Sequence, residues 1–169
     1  LEAVKTMAAI AEQAERDRAT VAAFEVPMNN KCTQREFLAH SAIDATRKLG
    51  VAGIITDSES GETARHLAAF RGPTPILAIC YKEKTQRWLN LSFGVTPIYQ
   101  KKHTSPEYMF IAALRMLRQK GCITMDDKIA YLSGSFGENG GTTFLEINKV
   151  SQVFDKSYEF HLPQHVDVN

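Results

Sequence analysis

The chain has 169 residues, 20 of them basic and 19 acidic, with 44% hydrophobic and 23% charged side chains. A chain of this size buries roughly 70% of its unfolded surface without help from disulfides or metals, and it suits one domain, or one domain with an appendage. The near-balance of charge excludes a strongly basic nucleic-acid binder, and no apolar run approaches a membrane span. Three scattered cysteines (Cys32, Cys80, Cys122) exclude a disulfide scaffold and point to a reducing, cytoplasmic setting.

Residues 1–16, LEAVKTMAAIAEQAER, are strong helix formers with an apolar stripe at Val4, Met7, Ala8 and Ala11, and the pattern predicts a leading helix. The chain opens inside this pattern, as a piece of a longer protein would, and LEAVKTM is no signal peptide. Residues 18–31 read as a linker broken by Pro27 and Asn29-Asn30. Thr33 with Glu36 fits a capping box for a helix that ends at Gly50. A strand is predicted over VAGII (Val51–Ile55), then a hydroxyl-rich turn, then the helix ETARHLAAF. PILAICY is apolar throughout, as in a central strand buried on both faces. KEKTQRWLNL predicts a short helix, and GVTPIYQ a short strand whose Pro97 favours an edge. Ser105-Pro106 opens a further helix that runs to Gly121. KIAYLSG and TTFLEINKV are strands joined by the glycine-rich GSFGENGG, and residues 151–169 read as an extended tail.

Strands that alternate with helices imply a mostly parallel sheet covered on both faces, and a closing pair without a crossover helix implies an antiparallel last strand. The predicted fold is α/β, a three-layer α/β/α sandwich of about five strands.

Two stretches could hold an anion. In the turn Thr56-Asp57-Ser58-Glu59-Ser60-Gly61-Glu62-Thr63, hydroxyls of Ser58, Ser60 and Thr63 stand at a strand end, before a helix whose first N–H groups lack partners. A simpler reading needs no ligand: Ser60 caps the helix, and Glu62 complements its dipole. Repulsion from Asp57, Glu59 and Glu62 favours the simpler reading. In Gly134–Thr143, four glycines and an Asn expose backbone N–H groups, although a hairpin connection requires no function and the loop lacks the ending of a nucleotide-binding loop. The histidines at 40, 66, 103, 161 and 165 lack metal spacing, Trp88 reads as a packing residue, and no catalytic set stands out.

Four stretches carry a further signal: LEAVKTMAAIAE; AIDATRKLGVAGIITDSESGETARHLAAFRGPTPILAIC; RWLNLSFGVTPI, with Arg87, Leu89, Leu91, Gly94, Val95, Pro97 and Ile98; and GSFGENGGTTFLEINKV. In unbroken order over residues 1 to about 150, they resemble the C-terminal domain of pyruvate kinase, led by the helix that connects it to the catalytic barrel. The resemblance implies an enzyme that transfers a phosphoryl group from phosphoenolpyruvate to ADP in glycolysis, giving pyruvate and ATP, with Mg²⁺ and K⁺. The catalytic residues lie in the barrel, so no catalytic residue, metal site or cofactor is expected in this chain. It implies a domain over 1–150, with 1–17 as leading helix and 18–31 as linker, followed by the tail 151–169. It also implies allosteric regulation by a sugar phosphate or nucleotide, and a homotetramer in which the domain packs with its own barrel. Carried over by position, effector phosphates would meet Thr56, Ser58, Ser60, Gly61 and Thr63, and the loop through Gly137, Gly140 and Gly141. The family's turn, T-x-S-G, is shorter than the one here and lacks its two extra residues and acids. The alternative is a purely structural assembly domain that binds no effector.

Overall fold

The computed structural model describes residues 2–18, 31–102, 106–134 and 141–159. Helix α1 (Glu2–Arg18) leads the chain, with the apolar side chains Val4, Met7 and Ile10 all exposed. Helix α2 (Gln34–Lys48) starts on the expected capping box. The Thr33 hydroxyl accepts from the Glu36 N–H, and the Glu36 carboxylate accepts from the Thr33 N–H at 2.7 Å. Each satisfies a backbone donor that the helix start leaves open. The Ser105 cap and most of the 18–31 linker lie outside the described residues.

The strands are β1 (Gly53–Ser58), β2 (Ile76–Cys80), β3 (Val95–Tyr99), β4 (Lys128–Gly134) and β5 (Thr142–Lys149). They form one sheet in the order β3-β2-β1-β4-β5, parallel except for β5, which runs antiparallel to β4. This matches the fold read from the sequence. Helices α3 (Glu62–Ala69), α4 (Glu83–Leu89) and α5 (Pro106–Gln119) supply the crossovers. On one face, α2 and α3 pack on the sheet through small residues, among them Ala39, Ala42, Ala64 and Ala68. On the other, α5 buries Ile111, Leu114 and Leu117 against Ile55, Leu77 and Ile129.

Three expectations need correction. The first strand is Gly53–Ser58 instead of Val51–Ile55, so Thr56, Asp57 and Ser58 belong to the sheet. Parallel pairing with β2 runs as far as Ser58 opposite Cys80, and this ladder satisfies backbone groups that polar side chains would otherwise suggest are in a turn. Residues 151–159 of the stretch read as an extended tail instead form α6 (Val150–Glu159), and 160–169 lie outside the described residues. Its Val150, Val153 and Phe154 are buried in the α5 side of the core, and that burial stabilises a helix whose sequence carries little propensity signal. Trp88 does not pack inside: it is 55% exposed, with the Arg65 guanidinium 4.6 Å above its ring.

Candidate functional site

The chain runs outward from β1 through β2 to β3 and then returns to place β4 on the other side of β1. Strand order therefore reverses between β1 and β4. In open α/β sheets the crevice beyond the carboxyl ends of two such strands is where ligands bind. The turn that follows β1 meets the described end of the second stretch at this crevice, where Thr63 reaches Thr142.

The turn is built from the end of β1. Thr56 is fully buried, with its hydroxyl 3.4 Å from the Asp57 carbonyl, and Ser58 is 8% exposed. The Ser58 hydroxyl accepts from the Gly61 N–H at 2.7 Å, folding the chain back on itself. Gly61, not Ser60, is the N-cap of α3, with φ of 82°; a Cβ there would sit 3.1 Å from a Leu89 methyl. Left-handed backbone and a crowded neighbour both favour glycine at this position. Ser60 contributes a long contact, its hydroxyl accepting from the Glu62 N–H at 3.4 Å. The Thr85 hydroxyl donates to the Glu59 carbonyl at 2.6 Å and ties the turn to α4.

The three acids that should repel an anion are each engaged. Glu62 pairs with Arg35 of α2 at 2.6 Å. Glu59 takes an ion pair from Lys102 and a longer one from Lys82 at 3.8 Å. The hydrogen bond and charge of Lys102 hold the Glu59 carboxyl below its ordinary value. Asp57 points to the α5 side of the sheet, where it accepts from the Ser133 hydroxyl and, at 3.4 Å, from the Tyr81 hydroxyl. Burial pushes the Asp57 carboxyl up, and the two hydroxyls offset only part of that. Burial, with the Asp57 charge adding to it, also pushes the Tyr81 and Tyr131 phenols up.

The second stretch opens at Gly134, where a Cβ would stand 2.2 Å from the Gly141 carbonyl oxygen. The two ends of the loop approach so closely that only glycine fits at 134. Gly141 is half-buried, whereas Gly137 and Gly140 lie outside the described residues. The Thr63 and Thr142 hydroxyls meet at 2.8 Å, joining the first turn of α3 to the start of β5. Of the candidates within the described residues, the structure gathers Ser58, Ser60, Gly61, Thr63 and Gly141 around the β1–β4 crevice, while Thr56 is enclosed beneath it. Sequence reading missed Arg35 and Ser133, which reach the crevice from distant elements. The single usable signal was the place of Ser133 at the end of a strand.

Comparison with known proteins agrees with this architecture. The family model for the pyruvate kinase alpha/beta domain matches residues 36–148. The pyruvate kinase of Borreliella burgdorferi is 32% identical over 153 residues, covering 89% of this chain and 32% of that protein. The pyruvate kinase of Bacillus licheniformis is 30% identical over 161 residues, covering 92% of this chain and 27% of that protein. The chain thus spans about a third or less of the length of these relatives. A solved pyruvate kinase of Cryptosporidium parvum, in complex with ADP, superposes with a TM-score of 0.66 at 22% identity, covering 73% of this chain and 25% of that chain, a likeness of fold. With a matched segment that reaches into all five strands and takes in the crevice at the centre of the sheet, the chain belongs to the pyruvate kinase family, as its C-terminal α/β domain.

Proposed function

We propose that this chain is the regulatory and assembly domain of a pyruvate kinase, and that the β1–β4 crevice holds a phosphate of a sugar-phosphate or nucleotide effector. The observation that carries the reading is the meeting of the α3 start with the start of β5 at the point where strand order reverses. The first amides of α3 point out of the helix start and can donate to an anion. The charges of Glu59 and Glu62 are already balanced by Lys102 and Arg35, which lowers the repulsion expected from sequence. Arg35 also has a buried Nε with no acceptor, a donor close to the helix start that a phosphate oxygen could satisfy.

In this reading the domain extends over residues 1–150, with the leading helix at 1–17 and the linker at 18–31. Phosphoryl transfer from phosphoenolpyruvate to ADP belongs to a barrel outside this chain, together with its Mg²⁺ and K⁺. The intact enzyme is a cytoplasmic homotetramer, and this domain contacts both its own barrel and neighbouring subunits. No helix among the described residues is long and apolar enough to cross a membrane.

Two experiments test these statements. In a coupled phosphoenolpyruvate/ADP assay the 169-residue chain alone gives no turnover, and any rate above a mock preparation overturns the location of the chemistry. Thermal unfolding with fructose 1,6-bisphosphate, AMP or inorganic phosphate tests the effector. A ligand present at 100 times its dissociation constant adds about 2.7 kcal/mol of stability. No shift with any of the three leaves assembly as the domain's whole role.

A further inference from the structure

A second place in the molecule carries ligand-binding chemistry, on the opposite side of the sheet from α2 and α3. Between α5 and α6 lies a cavity of about 510 Å³ lined by Arg115, Arg118, Gln119, Met125, Phe154 and Asp155. That volume falls within the range of small-molecule sites, roughly 300–1,000 Å³. Its α6 wall lies beyond residue 148, where the match to the family model ends. The helix stands there because Val150, Val153 and Phe154 complete the core, which leaves Asp155, the next residue, at the cavity edge.

The lining is electrically unbalanced. Arg115 and Arg118 lie one helical turn apart on α5 and both border the cavity, opposite one carboxylate. Arg118 is in the last turn of α5, where it complements the helix dipole, and among the described residues its Nη1 reaches only the Met125 sulfur at 3.5 Å. A thioether is a weak acceptor. Arg115 lies a turn earlier, where the dipole gives less reason for a cation. It is half-buried and has no ion pair or hydrogen bond among the described residues. Asp155 likewise has no ion pair among them. A partly desolvated guanidinium without an acceptor is costly, as for Arg115, and with the exposed Arg118 guanidinium one turn away it offers paired N–H donors of the kind that bind phosphate or carboxylate oxygens.

We propose that this cavity binds a small oxyanion, a phosphate or carboxylate, on Arg115 and Arg118, with the Gln119 amide as a further donor. Asp155 faces the other end of the ligand and accepts from a hydroxyl or ammonium there, while Met125 and Phe154 pack against its carbon atoms. Such a ligand is a small phosphorylated alcohol or a zwitterion, and the site is separate from the β1–β4 crevice.

Heteronuclear NMR on the 169-residue chain, titrated separately with inorganic phosphate and glycerol 3-phosphate, tests this. The expected result is saturable movement of the Arg115 and Arg118 guanidinium signals and of the Phe154 and Asp155 amides. In Arg115→Gln/Arg118→Gln the movement of the Phe154 and Asp155 amides weakens roughly tenfold or more in affinity per guanidinium lost, while any movement at Ser60–Thr63 persists. In Asp155→Asn, phosphate binds a few-fold more tightly because a repulsion is gone, and glycerol 3-phosphate gains less or loses, because its hydroxyl has lost a charged acceptor. Movement confined to Ser60–Thr63, no saturable movement, or binding unchanged in the double variant each overturns the proposal. An equal change for both ligands in Asp155→Asn overturns the assigned role of Asp155. The crevice proposal is read from different signals and stands or falls separately.

Discussion

The two faces of the sheet are packed by different means. Under α2 and α3 alanines (Ala39, Ala42, Ala45, Ala64, Ala68, Ala78 and Ala130) make up about half of the buried contact, among larger side chains such as Ile43, Ile54, Leu67 and Leu132. Small residues let the helices approach the strands closely, and this fixes the start of α3, with its Arg35–Glu62 ion pair, above the crevice. Under α5 and α6 the contact is made by Ile55, Leu77, Ile79, Leu114, Leu117 and Phe154. Large side chains hold helices farther out, and on this face the sheet also carries a half-buried carboxylate, Asp57, while a cavity opens between α5 and α6. The comparison teaches that one face is organised for precision of position and the other for bulk burial, with room left near its rim.

Substitutions that reverse the size of the packing residue break the comparison most directly. Leu117→Ala, at a fully buried site on the α5 face, is expected to lose about 2–5 kcal/mol in urea unfolding. The converse, Ala42→Leu under α2, leaves no cavity and instead overpacks, for a loss of about 1–3 kcal/mol. If Ala42→Leu were neutral, the close approach of α2 would not be a constraint. Gly61→Ala tests the crevice wall between the faces: a φ of 82° costs a non-glycine residue about 1–2 kcal/mol, and the Leu89 methyl must also give way.

The smallest effect is a slope. Burial raises the folded-state pKa of Asp57 above its ordinary 3.8, so the folded state holds this proton more tightly than the unfolded state. The contribution of Asp57 to stability is therefore greatest below the ordinary value and declines as pH rises from there through the raised pKa. Asp57→Asn removes that decline while keeping a partner for the Ser133 and Tyr81 hydroxyls, so unfolding curves of the variant fall less steeply over this acid range than those of the parent chain. Glu59 acts in the opposite sense: its lowered pKa supports the fold above the ordinary carboxylate range, and that support is lost as pH falls through the lowered value. Equal slopes for parent and Asp57→Asn would mean that the carboxylate under α5 is as well solvated as one on the surface.

The parts of the fold legible in the sequence were those with local causes. The capping box of Thr33 and Glu36, the unbroken apolar run of β2 and the proline at 106 each act within a few residues. The position of the candidate site was legible too, because a strand end before a helix start is marked by glycine and hydroxyls. What stayed hidden depends on contacts distant in sequence. Thr56 is a strand residue because β2 and β4 flank it, and Ser58 because β2 pairs with it, and nothing in their side chains announces it. Helix α6 exists because three of its residues complete a core formed more than 20 residues earlier by α5 and β1. Likewise, three acids in a short turn read as repulsive until Arg35, Lys102 and Ser133 arrive from elsewhere.

The central claim is that the β1–β4 crevice holds an effector phosphate, and amide-resolved NMR during titration with fructose 1,6-bisphosphate, AMP and inorganic phosphate tests it most directly. At least one of these ligands should move the amides of Gly61, Glu62, Thr63 and Thr142 in a saturable way and shift the Arg35 Nε signal with the same dissociation constant. If none of the three moves these signals at millimolar concentration, the crevice is not a phosphate site, and the claim is contradicted.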